Sequence, residues 1–281
     1  MDIISSVAEM QRRSLALRRE GRTIAFVPTM GFLHQGHLAL MREGRQRAEV
    51  LVTSIYVNPT QFAPSEDFDT YPRDMEKDCR LAGEIPVDIL FTPDDRDMYV
   101  GGCEIYVTPQ ALAQRMCGLS RPHFFRGVAT VVTKLFHIVR PQVAIFGEKD
   151  YQQLTIIRRM VQDLHFAVEI VGVPTVREAA GLAMSSRNAY LKPAQRAAAL
   201  SLSRSLRQAH KQVAAGETRA ERILASASGL IRAFPETEID YIVIVDAETL
   251  ENVDVIDRPV RMAMAVKVGA TRLIDNMLLT P

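Results

Sequence analysis

The chain has 281 residues, 47% of them hydrophobic and 24% charged, with a formal net charge of +1. That length allows two domains, or one with a substantial appendage, and the near neutrality gives no support to a nucleic-acid or membrane-surface partner, which would need a concentrated basic face. Cys79, Cys103 and Cys117 are an odd set without Cys-x-x-Cys spacing, so neither a disulfide framework nor a cysteine zinc site is expected, and a reducing, cytoplasmic setting fits.

The amino-terminal residues Met1-Asp2-Ile3-Ile4 lead into an amphipathic segment without the plan of a secretory signal. Helices are expected over 4–20, 37–48, 73–83, 127–139 and 151–163, and strands over 23–28, 50–57, 88–91, 142–146 and 168–173. This alternation predicts an α/β, doubly wound, mostly parallel sheet of Rossmann-like kind, whose ligands bind beyond the carboxyl ends of the strands. Polar clusters fall at three of those ends: His34 and His37, then Asn58-Pro59-Thr60-Gln61, then Gly147-Glu148-Lys149-Asp150. The loop 58–72, with three prolines and three acidic residues, is expected to act as a lid. After Pro174 the composition changes. Alanine-rich helices over 193–215 and 217–233 precede apolar runs at 241–245, 262–268 and 271–274, which predicts a smaller α+β domain with an antiparallel sheet. The expected division is 1–175 and 176–281, the second domain closing over the nucleotide site.

The most informative stretch is Pro28-Thr29-Met30-Gly31-Phe32-Leu33-His34-Gln35-Gly36-His37, which joins an apolar strand to an amphipathic helix through a glycine-bearing turn. The first backbone N–H groups of a helix have no intrahelical partners and suit an anion, and Gly36 keeps the approach clear. His34 and His37, three residues apart, can reach one phosphate chain. The spacing His-x-Gly-His resembles the nucleotide-binding motif of class I aminoacyl-tRNA synthetases and nucleotidylyltransferases. That likeness implies imidazole N–H groups stabilising the transition state at the α-phosphate of ATP.

Four motifs taken together, Pro-Thr-Met-Gly-x-Leu-His-x-Gly-His, Val57-Asn58-Pro59-x-Gln61-Phe62, Phe146-Gly-Glu-Lys-Asp-Tyr-Gln-Gln-Leu154 and Met184-Ser-Ser-Arg-Asn188, resemble the pantothenate synthetase (pantoate–β-alanine ligase) family. Val173-Pro174-Thr175-Val176-Arg177-Glu178 and Thr271-Arg-Leu-Ile-Asp-Asn276 extend the likeness over nearly the whole chain. The resemblance implies an ATP-dependent, AMP-forming carbon–nitrogen ligase that makes pantothenate from pantoate and β-alanine through a pantoyl adenylate. It implies His37, His34 and Lys149 as the catalytic groups. For ATP it implies Met30, Gly31, Phe32, Leu33, His34, Gln35, Gly36 and His37, then Gly147, Glu148, Lys149 and Asp150, then Val176, Met184, Ser185, Ser186 and Arg187. Gln61, Gln153 and Asn58 would bind pantoate, and Gln61 also β-alanine. Mg²⁺ would be held through the triphosphate with no protein metal ligand, and the assembly would be a homodimer.

Two positions depart from the family pattern. Phe124 stands where a histidine is expected after Arg121-Pro122, and Ala180 where an aspartate is expected before Gly181, so the contact of the first and the firmness of the second turn are in question. Two other readings stay open: a nucleotidylyltransferase acting on another acceptor, and a non-catalytic nucleotide sensor. The alternative for Ser185 and Ser186 is a helix cap before Arg187.

Overall fold

The computed structural model describes residues 1–64 and 66–281. They divide into two compact units. The first comprises Met1–Ala113, Arg121–Glu148 and Gln153–Pro174, and the second Gln114–Ser120, Lys149–Gln152 and Thr175–Pro281. Two short segments that precede Pro174 in the chain thus belong with the carboxyl-terminal unit.

The first unit is built on a six-stranded, all-parallel sheet: β1 (Asp2–Ile4), β2 (Ile24–Thr29), β3 (Val50–Ile55), β4 (Ile89–Phe91), β5 (Val143–Gly147) and β6 (Glu169–Val173), in the order β1-β4-β3-β2-β5-β6. The doubly wound class expected from the alternation is therefore present. One element differs. The first helix begins at Val7, capped by the Ser6 hydroxyl, and the residues before it form the edge strand β1 against Ile89–Phe91. Three residues are too few to display an alternating pattern, so their pairing is settled by the neighbouring edge.

Strands buried on both faces read as continuous apolar runs, and β2 shows why. Ile24 and Phe26 pack into one cluster with Val128, Val132, Leu135 and Phe136 of the helix Phe124–Val139. Ala25 and Val27 pack into another with Leu38 and Met41 of the helix Gln35–Arg47 and Ala82 of the helix Met75–Gly83. The chain winds outward from β2 through β3 to β4, then returns to start β5 on the other side of β2. The crevice of such a sheet lies where the order reverses, between β2 and β5. The turn after Thr29 and the end of β5 at Gly147 stand there.

The second unit has a three-stranded antiparallel sheet, β7 (Thr237–Asp246), β8 (Val260–Val268) and β9 (Thr271–Leu279), with β8 central. Val260, Met262, Met264, Val266 and Val268 of β8 share a core with the helices Arg196–Ala214 and Ala220–Arg232. Arg261, Ala263 and Ala265 on the opposite face are buried too.

One close approach constrains the first unit. A Cβ on Gly127 would stand 2.6 Å from the Thr60 carbonyl carbon and 2.8 Å from the Gln61 nitrogen, because the helix Phe124–Val139 lies directly against the short turn Pro59–Gln61. Gly127→Ala is expected to destabilise the fold by about 1–3 kcal/mol through overpacking, overriding the better helix propensity of alanine. Urea denaturation measures this.

Candidate active site

The turn after β2 is held by an unusual set of backbone contacts. Gly31 and Phe32 both take left-handed conformations, φ +77° and +49°. A Cβ on Gly31 would press on Ile55 at 2.9 Å and on Asp78 at 3.0 Å, so only glycine fits. The two N–H groups that follow point at one carboxylate: Phe32 donates to Asp78 Oδ2 at 2.8 Å and Leu33 to Asp78 Oδ1 at 2.6 Å. Asp78 is 1% exposed, on the inward stripe of the helix Met75–Gly83 with Ala82. Burial raises its pKa above the ordinary 3.8, an effect that the two backbone bonds oppose without cancelling. Sequence reasoning missed this residue, although a carboxylate i, i+4 from a buried alanine on one helix face was the available signal.

The helix Gln35–Arg47 then begins at His34, its N-cap. Gly36 donates to His34 Nδ1 at 3.1 Å and His34 donates to His37 Nδ1 at 3.3 Å, a capping box made by two histidines. The rings stack with centroids 4.0 Å apart. The sequence suggests the first helix amides as anion donors, yet the Gly36 and His34 amides are engaged by imidazole nitrogens. With each Nδ1 accepting, a neutral ring carries its proton on Nε2. The stacked pair therefore carries two imidazole N–H groups on its Nε2 atoms.

Met30, Asn58 and Gln61 come together beside this turn. Asn58 Nδ2 donates to Gln61 Oε1 at 3.1 Å and to the Gly127 carbonyl at 3.3 Å, and Gln61 Nε2 donates to Met30 Sδ at 2.9 Å. Asn58 Oδ1 in turn accepts from Tyr99 at 2.7 Å and from the Thr60 hydroxyl at 3.0 Å. Burial pushes the Tyr99 hydroxyl up to about 12, so it remains a donor at neutral pH. The consequence is a fixed polarity: the oxygen of Gln61 accepts from Asn58 and its NH₂ is turned toward Met30. Tyr99 was also missed by sequence reasoning, which had no means of pairing it with a residue 41 positions earlier. Gln153 lies half-buried near the start of the helix Tyr151–Asp163 in the same unit, as do Gly147 and Glu148 at the end of β5.

The second unit holds the remaining candidates. Met184 donates its N–H to the Val176 carbonyl at 2.9 Å, and Arg177 bridges Ala183, so a hairpin brings Val176 to Met184 and to the turn Ser186–Tyr190. Ser185 caps that turn by accepting from the Arg187 amide at 3.3 Å, Ser186 is buried, and Arg187 is half-buried. The cap reading of the serine pair thus holds for Ser185. Lys149 Nζ stands 3.6 Å from Asp150 Oδ2. Among the described residues no cluster of three His, Cys, Asp or Glu side chains is placed to hold a metal, and no helix is long and apolar enough to cross a membrane.

The family model described as pantoate-beta-alanine ligase matches residues 2–278. The chain belongs to the pantoate–β-alanine ligase family. It is 58% identical over 281 residues to the pantothenate synthetase of Desulfatibacillum aliphaticivorans, covering 100% of both chains. Among solved structures it is similar to the pantothenate synthetase of Thermus thermophilus, with 46% identity, full coverage of both chains and a TM-score of 0.95. It is also similar to the pantoate-beta-alanine ligase of Francisella tularensis complexed with beta-gamma ATP and beta-alanine, with 32% identity, 99% and 97% coverage and a TM-score of 0.83.

The two departures from the ligase family's pattern have visible surroundings. Phe124 supplies an apolar face under the Arg121 guanidinium, 3.8 Å from the ring centroid. Arg121 grips Glu66 with two bonds of 2.6 Å and donates to the Gln61 carbonyl at 3.1 Å. The described part of the expected lid is packed on itself, Phe62 meeting Phe68 and Tyr71 edge to face; residue 65 lies outside the described residues. At Ala180 the turn is closed by backbone: Gly181 donates to the Glu178 carbonyl and Glu178 to that of Leu182, both at 2.8 Å.

Replacing Asp78 tests the turn. Asp78→Ala leaves two N–H groups without their carboxylate and is expected to cost on the order of 2–4 kcal/mol, with Asp78→Asn, which keeps one acceptor, costing less. Because the folded pKa is raised, the folded state binds this proton more tightly than the unfolded chain does. The wild-type advantage over Asp78→Asn is therefore largest below the ordinary aspartate value and shrinks as pH rises through the raised one. Denaturant curves at several pH values read both effects.

Proposed function

We infer that this protein condenses (R)-pantoate with β-alanine at the expense of ATP. The observation that carries the reading is the stacked His34–His37 pair, with both Nδ1 atoms engaged by backbone, standing at the switch point of a parallel sheet in a chain of the ligase family.

A carboxylate does not react with an amine at neutral pH. In the first step a pantoate carboxylate oxygen bonds to the α-phosphorus of ATP, the bond to the bridging oxygen breaks, and pyrophosphate leaves. In the second the neutral amine of β-alanine bonds to the acyl carbon, AMP leaves with the electron pair, and the nitrogen gives up a proton. Neither step requires the protein to form a covalent bond. What it must provide is alignment and stabilisation of charge that grows on phosphate. Imidazole Nε2–H groups of His34 and His37 suit that task, acting as electrophilic stabilisers because the first nucleophile is already an anion.

Lys149 is assigned the α-phosphate as a movable cation, Asp150 the ribose hydroxyls, and Ser185, Ser186 and Arg187 the β- and γ-phosphates through hydroxyls and a guanidinium fork. Gly147, Glu148, Val176 and Met184 complete the nucleotide contacts. Gln61 and Gln153 are assigned pantoate, Gln61 also β-alanine. The NH₂ of Gln61, with two protons to donate, suits a hydroxyl or carboxylate oxygen and adds no charge that would trap the anion. Mg²⁺ belongs on the triphosphate, where it neutralises phosphate charge, since it prefers phosphate oxygens and water to an all-protein cage. Family membership further supports a homodimer working in the cytoplasm.

Incubation with ATP, Mg²⁺ and D-pantoate is expected to release AMP only when β-alanine is added, in equal amount to the pantothenate formed. Turnover independent of pantoate would point instead to another acceptor, and no turnover to a nucleotide sensor. His37→Ala is expected to lower kcat about 100-fold or more, the usual loss for a transition-state donor. Tyr99→Phe releases Asn58 and with it the polarity of Gln61, so KM for pantoate should rise several-fold with KM for ATP little changed; steady-state kinetics separates the two.

A further inference from the structure

Apart from Val176, the two motifs at 173–178 and 271–276 have no role in the chemistry so far, and in the structure they meet. Arg177 holds Asp275 with two bonds of 2.6 and 2.9 Å and also donates to the Gly181 carbonyl at 3.1 Å. Asp275, 3% exposed, accepts the backbone N–H of Asn276 at 2.8 Å. Successive residues of a strand point to opposite faces. Asp275 therefore ties the 176–184 hairpin on one face of β9 while Asn276 faces the other way.

On that second face the side chain of Asn276 is used at both ends. Its Oδ1 accepts from Arg261 at 3.1 Å, and its Nδ2 donates to the backbone carbonyl of Lys149 at 2.8 Å. Arg261 also lies over the ring of Tyr151, 3.9 Å from its centroid, and the Tyr151 hydroxyl donates to the Ala247 carbonyl at 2.9 Å. Asn276 and Arg261 are 5% and 8% exposed. The segment Lys149–Gln152 is thus fastened to the small sheet of its own unit. A buried amide with an arginine fixing its oxygen can present only its NH₂ to the lysine carbonyl.

We propose that Asn276 is a positioning residue for Lys149, setting where its ammonium stands for transfer at the α-phosphate, and that the Arg177–Asp275 pair holds β9 in the register this requires. The role rests on the reading of Lys149 as the cation at that phosphate. Asn276→Asp nearly preserves shape and keeps an acceptor for Arg261, but places an oxygen against the Lys149 carbonyl. A misplacement of this order typically costs up to about 100-fold in rate.

The test is a double-mutant cycle read by pantoate-dependent exchange of pyrophosphate into ATP. Asn276→Asp alone is expected to lower the exchange rate about 10- to 100-fold with KM for pantoate within about twofold. In a Lys149→Ala background the same substitution should change the rate by less than about twofold, because its effect passes through a side chain no longer there. Equal losses in both backgrounds, or a loss confined to KM for pantoate, would overturn the proposal. Should Asn276→Asp fail to fold, Asn276→Ser, too short to reach the carbonyl, enters the same cycle with the same expected outcomes. A wild type without pantoate-dependent exchange overturns the ligase reading and this one with it. An active wild type whose Lys149→Ala variant is unimpaired overturns only the positioning of Lys149.

Discussion

A single buried carboxylate sets the geometry on which the first unit's site depends. The turn after β2 contains two successive left-handed residues, so its backbone N–H groups cannot pair with strand or helix, and buried amides without acceptors are costly. Asp78 receives two of them, from Phe32 and Leu33. This directs the chain into the helix at His34, which in turn allows the imidazole of each histidine to take a backbone N–H and the rings to stack. The carboxylate stays in an environment that raises its pKa. The fold therefore tolerates an unfavourable burial in exchange for a fixed loop, a common arrangement where geometry matters more than stability.

A similar logic governs the neighbouring amides. Gln61 alone could present either end of its side chain, since an amide donates and accepts with equal ease. Tyr99 and Thr60 occupy the oxygen of Asn58, Asn58 then donates to the oxygen of Gln61, and the NH₂ of Gln61 is thereby turned toward Met30. Arg121 secures the same turn through its carbonyl and through Glu66, with Phe124 beneath the guanidinium. The phenylalanine in place of the family's histidine is therefore accommodated by a cation–π contact, which keeps the arginine in position without a further polar partner.

The small antiparallel sheet has an unusual central strand, buried on both faces except at Lys267. One face closes an ordinary hydrophobic core with two helices. The other carries Arg261 and Asn276: the arginine donates to the Asn276 oxygen and lies over the Tyr151 ring, and the Asn276 amide donates to the Lys149 backbone. Buried polar groups of this kind must find partners or they destabilise the fold. Here the partners include a segment that lies far away in sequence and carries a candidate catalytic residue.

From the residues alone one could read the parallel sheet, the change of architecture after Pro174, the His34–His37 turn and the motif residues that place the chain in its family. These depend on local signals: apolar runs, helical periodicity, glycine at a left-handed turn, and short polar motifs at strand ends. The edge strand β1 was invisible because three residues carry no period, and its pairing is decided by β4. Tertiary structure alone decided that Asp78 anchors the turn, that the histidine Nδ1 atoms face the backbone, that Tyr99 orients Asn58, and that Lys149 is tied to Asn276. Each of these is a hydrogen bond whose energy depends on angle and burial at a distance of a few ångströms, between groups up to 127 positions apart. No composition or spacing rule expresses that dependence; only the packing of strands and helices brings the donors and acceptors into register.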